Sequence, residues 1–176
     1  MSNRSLNKLR EVFPSMPVGK TILDVYCEDA DILFWALSEG AAWCAGMDRR
    51  RDLVSLVHSL AGYRSNDRIT VQRRDVLAVP VGAFANQFHF VVCLGLIEKF
   101  RHIGKVGDLL LRAESWAIEK AIFRVIPPEA DVQWGKHEDG SLRVAASYFE
   151  EFFSKPQVKT RKSEVFEGQL IVEVSL

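Results

Sequence analysis

At 176 residues, with 48% hydrophobic and 26% charged residues, the chain is long enough for one sizeable core and has the composition of an ordinary globular domain. Its 23 basic and 23 acidic residues cancel to a formal net charge of zero, so bulk electrostatics argue for neither a nucleic-acid nor a membrane partner. No run of about 18 apolar residues suggests a spanning helix. The polar start, Met1–Arg10, lacks an apolar signal core, so a cytoplasmic protein with no membrane partner is expected.

Leu6, Leu9, Val12 and Phe13 share one face of a leading helix over Ser5–Phe13, which Pro14 and Pro17 end. Thr21–Tyr26 reads as a first strand, buried on both faces. Asp31 then caps a helix carrying Ile32, Leu33, Trp35, Ala36 and Leu37, which Gly40 stops. Trp43–Met47 is a second strand ending in Asp48. In Asp52–Ala61, Leu53, Leu56, Val57 and Leu60 follow helical spacing, and Gly62 suits the C-terminal cap. Ile69–Gln72 is a third strand, followed by Arg73-Arg74-Asp75, and Phe88–Leu94 is a fourth.

After Gly95 the spacing returns to helix, with Val106, Leu109, Leu110, Ala113 and Ala117 on one face. Ala121–Ile126 is a fifth strand, stopped by Pro127-Pro128. Glu129–Gly140 reads as a polar loop. Leu142, Ala145, Ala146, Phe149, Phe152 and Phe153 mark a last amphipathic helix, ended by Pro156. Val158–Phe166 and Gln169–Leu176, joined at Glu167-Gly168, form a terminal hairpin. The three cysteines, Cys27, Cys44 and Cys93, lie in or beside apolar runs. That placement and the odd count suit buried thiols in a reducing compartment. His58, His89, His102 and His137 lack metal-ligand spacing with them, so no metal is expected.

No linker divides the chain, so residues 1–176 form one domain, with 1–17 a leading helix and 18–176 the core. Alternating strands and helices predict an α/β fold with a mostly parallel sheet, helices on both faces and right-handed crossovers. The terminal hairpin requires an antiparallel strand. This order resembles the class I S-adenosylmethionine-dependent methyltransferases, whose Rossmann-like sheet has seven strands. Four stretches carry the resemblance: ILDVYCEDA at the place of the family's glycine-rich first motif, GMDRR with Asp48, RRDVLAVP with Asp75, and FHFVVCLGLIEKF at the fourth strand. The run CLGLIEKFRH is similar to a branch that includes tRNA uridine-modifying methyltransferases.

The resemblance implies that Asp48 takes the ribose hydroxyls and that Asp75 lies near the adenine. It implies that Asp24, Tyr26, Cys27 and Glu28 border the cofactor from the first loop, and that Arg49, Val76, Cys93, Leu94 and Gly95 complete the contacts. Independently of it, a carboxylate at Asp48 has two acceptor oxygens for a diol, and equally suits a helix cap. Asp75 equally suits a turn cap. Glu98 and His102, after the fourth strand, are the acid–base candidates. Trp134 and His137 are candidates for substrate contact. The family's three loop glycines fall here on Tyr26, Glu28 and Ala30. A phenol ring at that place fills the pocket or forces a new ligand pose.

Three functions therefore remain open. One is an S-adenosylmethionine-dependent methyltransferase of a small molecule or RNA. The second is a degenerate scaffold or partner subunit that has lost the cofactor. The third is an RNA-binding module, to which Lys155, Lys159, Arg161 and Lys162 and the arginines at 49–51 and 73–74 would contribute.

Overall fold

The strands are β1 (Thr21–Asp24), β2 (Trp43–Asp48), β3 (Ile69–Arg73), β4 (Phe88–Cys93), β5 (Ala117–Val125), β6 (Trp134–Lys136), β7 (Leu142–Val144), β8 (Val158–Lys162) and β9 (Leu170–Ser175). The helices whose full bounds lie among the described residues are α1 (Asp31–Ser38), α2 (Gly104–Trp116) and α3 (Ala146–Phe152). This computed structural model describes residues 17–28, 30–52, 55, 58, 59, 67–128, 132–153, 158–162 and 168–176. The expected leading helix, the face Leu53, Leu56, Val57 and Leu60, and Gly62 lie outside them. Arg51, Asp52, Ser55, His58 and Ser59 are helical.

Seven strands form one sheet in the order β3-β2-β1-β4-β5-β9-β8. The pairs β1–β2, β2–β3, β1–β4 and β4–β5 are parallel, and β9 runs antiparallel to both β5 and β8. The alternation of side chains along the strands splits the core into two layers. Leu23, Ala45, Met47, Val91, Phe123 and Val172 join the layer with α2 residues Val106, Leu109 and Leu110. Ile22, Cys44, Val71, Phe90, Val92 and Ile171 join the layer with α1 residues Ile32, Leu33 and Trp35.

Two expectations shift. Periodicity carried the last helix back to Leu142, but Leu142–Val144 is strand β7, paired with Trp134–Lys136, and the helix starts at Ala146. Leu142 and Val144 are both buried with Arg143 between them half-buried. An apolar i, i+2 pair fits a strand as well as a helix edge, and pairing with β6 decides it. The stretch read as a loop therefore contains a strand. Likewise Ala117, placed on a helix face, begins β5, four residues before the apolar run. The polar lead-in is held in the sheet from outside: Glu119 pairs with Lys20 and its carbonyl accepts the Leu176 N–H.

Between β3 and β4 the described crossover consists of two short 3-10 turns, Val76–Ala78 and Val81–Phe84. They are clamped by α2. The Arg112 guanidinium donates to the carbonyls of Leu77 and Val79, each at 2.8 Å, and the buried Trp116 donates its indole N–H to the Val81 carbonyl. This clamp fixes where β4 enters the sheet, and with it the carboxyl end that matters below.

Candidate functional site

The strand order reverses between β1 and β4. After β1 the chain builds outward to β2 and β3, then crosses back to β4. In open parallel sheets the crevice at the carboxyl ends of such a pair is the ligand position. The loop residues Tyr26, Cys27 and Glu28, after β1, line it here. The loop is pinned to both neighbours: the Val25 N–H donates to the Val92 carbonyl at 2.9 Å and the Cys27 N–H to the Met47 carbonyl at 3.2 Å. The Asp24 carboxylate accepts the Tyr26 N–H at 3.2 Å.

Glu28 and Ala30 are left-handed, with φ of +45° and +58°. The backbone thus keeps a geometry that glycine adopts freely, at two of the three places where the methyltransferase loop would carry glycine. An L side chain there costs roughly 1–2 kcal/mol. Glu28 is exposed, so Glu28→Gly relieves the strain and sacrifices little packing, although glycine also gives the unfolded chain more freedom. The substitution is expected to stabilise the fold by roughly 0.5–1 kcal/mol, read as a rise of about 1–4 °C in Tm. A fall in Tm would refute the strain. Ala30 also takes the N-cap position of α1, and among the described residues no side chain caps that helix. Asp31, expected as the cap, is the first helical residue, because the left-handed turn at Ala30 already starts the helix.

Tyr26 does not take a left-handed backbone. Its ring instead lies against Gly95, at the far side of the switch point: a Cβ on Gly95 would sit 3.3 Å from Tyr26 Cδ1 and 3.3 Å from Arg124 Nη2. The Arg50 guanidinium lies 5.3 Å from the ring centroid, a cation–π contact. Arg50 also grips Asp48. Its Nε donates to Oδ1 at 3.1 Å, its Nη2 to Oδ2 at 2.9 Å, and its backbone N–H to Oδ1 at 2.8 Å. The Glu28 N–H adds a fourth, longer bond to Oδ2 at 3.3 Å. Asp48 is 2% exposed. Burial by itself raises its pKa, but the Arg50 hydrogen bonds and charge, with the Glu28 N–H, outweigh it and hold the carboxyl below its usual range. The same bonds to Asp48 raise the Arg50 pKa further.

The consequence for space is direct. The hollow lined by Asp24, Tyr26, Cys27, Glu28, Ile32 and Leu94 leaves about 10 Å³ for the centre of a water molecule, which is room for roughly one water. Small-molecule sites typically enclose about 300–1,000 Å³. Tyr26 lines the hollow, and its ring, Arg50 and Asp48 form one linked latch.

The other predicted residues fall around it. Asp75 caps the turn after β3, its carboxylate accepting the Leu77 N–H at 3.0 Å, and lies 3.7 Å from the exposed Arg49 guanidinium. Val76 is buried beneath that turn. Leu94 borders the hollow and Gly95 carries the Tyr26 ring. Cys93 is buried and burial pushes its thiol up to about 12. Burial, then the Asp24 and Asp48 carboxylates, push Cys27 up further still. Both stay protonated at neutral pH, which suits packing and not nucleophilic attack.

Glu98 is drawn inward, its Oε1 accepting from Arg124 Nη2 at 3.1 Å with both side chains largely buried. Its Oε2 is shielded and has no hydrogen-bond partner among the described residues. His102 is exposed on the turn before α2. Trp134 and His137 lie on and just after β6, beyond the carboxyl end of β5. The basic residues do not merge into one patch: Arg73 ends the outermost strand β3 and Arg74 follows it, while Lys159 and Lys162 lie on β8 at the opposite edge, about 29 Å away at ~4.8 Å per strand. Lys155 lies outside the described residues. Among the described residues no His, Cys, Asp and Glu group could hold a metal ion.

Two site residues escaped sequence reading. Arg50 sits in a run of three arginines with nothing to single it out. Arg124 carried a signal, a lone charge inside the apolar run of β5, which calls for a buried partner.

With this geometry in view, the chain has the fold of the class I S-adenosylmethionine-dependent methyltransferases: a seven-stranded, mostly parallel sheet with a C-terminal antiparallel hairpin. Magnesium protoporphyrin IX methyltransferase (ChlM) of Synechocystis with bound S-adenosylmethionine is similar over 99% of this chain and 85% of its own, at 12% identity and a TM-score of 0.70. An S-adenosylmethionine-dependent methyltransferase from Mesorhizobium loti is similar over 99% of each chain, at 13% identity and a TM-score of 0.69. A chain from the complex of the Haloferax volcanii Trm112 methyltransferase activator with a methyltransferase is similar over 98% of this chain and 90% of its own, at 13% identity and a TM-score of 0.75. No protein-family model and no curated protein sequence matches the chain. At these identities the likeness is one of fold.

Proposed function

We propose that the chain is a methyltransferase-fold protein closed to S-adenosylmethionine by its own side chains, working as a cofactor-free scaffold or partner subunit. One observation carries this reading: the Asp48 carboxylate, the group that would take the ribose, already accepts four internal hydrogen bonds, three of them from Arg50. Adenosyl binding has to break the Arg50 fork and displace the Tyr26 ring before any ligand contact forms. A charge-assisted bidentate pair is among the stronger polar interactions a chain makes. The complex in which the Haloferax relative of the fold meets its Trm112 activator supports a protein partner as a use this architecture admits. No described helix is long and apolar enough to cross a membrane. We place this single-domain protein in the cytoplasm, in keeping with its three free, buried thiols.

A second reading, a working methyltransferase of a small molecule or RNA, is favoured by the retained acidic residue at the end of β2 and by structures of this fold that hold S-adenosylmethionine or S-adenosylhomocysteine. The Arg50 side chain is 43% exposed, so it has a solvated position to swing to. In that case Tyr26, Cys27, Glu28, Arg49, Asp75, Val76, Leu94 and Gly95 line the opened hollow. Glu98 and His102 serve as the acid–base pair.

Calorimetric titration with S-adenosylhomocysteine separates the two. The closed form is expected to give a Kd of about 1 mM or weaker, barely 4 kcal/mol of binding. Micromolar binding abolished by Asp48→Ala would establish the enzyme instead.

A further inference from the structure

In parallel sheets helices cover both faces. On one face of this sheet α2 packs against β4 and β5. Over β2 and β3 on the same face no described helix stands. The crossover from β3 to β4 is folded into the 3-10 turns Val76–Ala78 and Val81–Phe84, which Arg112 and Trp116 hold against α2. An open groove results, with about 70 Å³ for the centres of water molecules. Leu23, Ala45 and Met47 form its floor, and Thr70 and Gln72 of the edge strand β3 form its outer side. Its amino end is aromatic. Trp43 stacks on Phe88 with centroids 5.6 Å apart, and Phe84 meets Phe88 edge-on at 5.9 Å. Trp43 and Phe84 are only half-buried.

The dimensions suit a helix. At about 10–15 Å³ per water the space takes roughly five waters, which is the room of one aliphatic side chain. The run of β2 from Trp43 to Met47 measures about 13 Å, the length of roughly nine helical residues. An amphipathic helix laid along an apolar groove is a recurring mode of recognition.

The rim sets the charge of that helix. Ile69 and Val71 join the α1 layer, so alternation turns Arg68, Thr70, Gln72 and Arg74 toward the groove. The pairing extends to both arginines: the Cys44 N–H donates to the Arg68 carbonyl and the Arg74 N–H to the Asp48 carbonyl. Arg68, Gln72 and Arg74 are exposed. Residues 48–52 and 67–75 together carry six arginines and four aspartates, a net charge of +2. The crossover 76–88 carries no charge, and α2 carries two of each sign, so neither offsets the excess. Glu28 and Asp31 flank Cys27, Ala30 and Ile32, which belong to the opposite layer. A second copy of the chain would set this positive rim against itself, since a two-fold contact pairs like with like. The first sixteen residues, outside the described ones, carry Arg4, Lys8 and Arg10 against Glu11 and have the same wrong sign. An acidic partner complements the rim.

We propose that this groove docks an acidic amphipathic helix of a partner protein, with one aliphatic side chain between Ala45, Met47 and Trp43 and its carboxylates toward Arg68 and Arg74. The proposal rests on the partner-subunit reading and names the surface that reading needs. The two fail separately. Micromolar binding of S-adenosylhomocysteine would remove that reading, whereas failure of the groove with the cofactor hollow still closed would remove only this one.

The test uses two synthetic helices of equal length with leucines spaced i, i+4 and i+7, one flanked by Glu and the other by Lys. Each is titrated into the full chain and followed by amide and indole NMR shifts. The Glu helix is expected to bind saturably with a Kd below about 1 mM, shifting Trp43, Ala45, Gly46, Thr70 and Gln72. The Lys helix is expected to bind at least 10-fold more weakly. Ala45→Leu, which fills the floor, is expected to weaken the Glu helix at least 10-fold. Gln72→Glu with Arg74→Glu, both at exposed positions, is expected to reverse the preference to the Lys helix, and it decides the matter if Ala45→Leu does not fold. Lys105→Gln, on an exposed turn of α2, is expected to change nothing. No saturable binding, equal binding of the Lys helix, shifts centred elsewhere, or an unreversed preference in the folded double variant each overturns the proposal. So does a self-dimer in sedimentation equilibrium that protects the same residues, which would assign the groove to a second copy.

Discussion

The triple variant Tyr26→Gly, Glu28→Gly, Arg50→Ala is expected to bind S-adenosylhomocysteine at least 100-fold more tightly than the native chain, a gain of about 2.8 kcal/mol. Each substitution removes one obstacle. Without its guanidinium, residue 50 releases both oxygens of Asp48 apart from the two backbone N–H bonds, so the carboxylate can accept a ribose diol. Without its ring, residue 26 no longer lies on Gly95, and the ends of β1 and β4 face an open crevice. With glycine at 28, the left-handed turn at φ +45° relaxes and one carboxylate leaves the rim. The scaffold that positions these groups is untouched, because the Val25 and Cys27 backbone bonds to β4 and β2 involve no side chain. Calorimetry on the triple variant, and on the same variant carrying Asp48→Ala, checks the result. The fourth substitution must erase the gain. A folded triple variant with no gain would mean that something other than this latch closes the hollow.

Asp48→Ala in the native chain is expected to cost about 2–4 kcal/mol of stability, somewhat below the roughly 3–5 kcal/mol for a fully buried pair, because the Arg50 side chain is 43% exposed. That is a loss of roughly 4–16 °C in Tm for a chain of this size. The cost arises because the Glu28 and Arg50 N–H groups lose their acceptor at a position that is 2% exposed, while Arg50 is left beside the Tyr26 ring without its counter-charge. A carboxylate held in reserve for a cofactor behaves oppositely, and its removal alters stability by less than about 1 kcal/mol. Thermal melting therefore separates a latch from an empty ligand site without any ligand.

The pH dependence has a definite sign. The folded carboxyl titrates below its unfolded value of about 3.9, held there against burial by Arg50. Its contribution is complete above about pH 4 and disappears as pH falls through the folded pKa. The acid limb of the Asp48→Ala stability curve should accordingly be flatter than that of the native chain.

The carboxylates of the site were legible in the chain because each ends a strand: Asp24 closes β1, Asp48 closes β2, and Asp75 follows β3. What engages each of them was not legible. Asp75 turned out to cap its own turn at Leu77, a turn whose Leu77 and Val79 carbonyls are held by Arg112 from α2. Glu98 and His102 look equivalent along the chain. Arg124, projecting from β5, draws the first inward and leaves the second in solvent. Sequence spacing carries no information on a partner 26 residues away.

The chain by itself determined the seven strands of the main sheet with its closing antiparallel hairpin, though not the small β6–β7 pair, and the three residues that replace loop glycines. Those depend on periodicity and on backbone preference, which are local. Only the tertiary structure decided that the loop keeps the left-handed turns of a glycine loop, that Arg50 and not its neighbours folds back on Asp48, and that Tyr26 spans from the end of β1 to Gly95. The physical reason is that side-chain closure of a crevice depends on distances between strands that the parallel sheet brings together from remote parts of the chain.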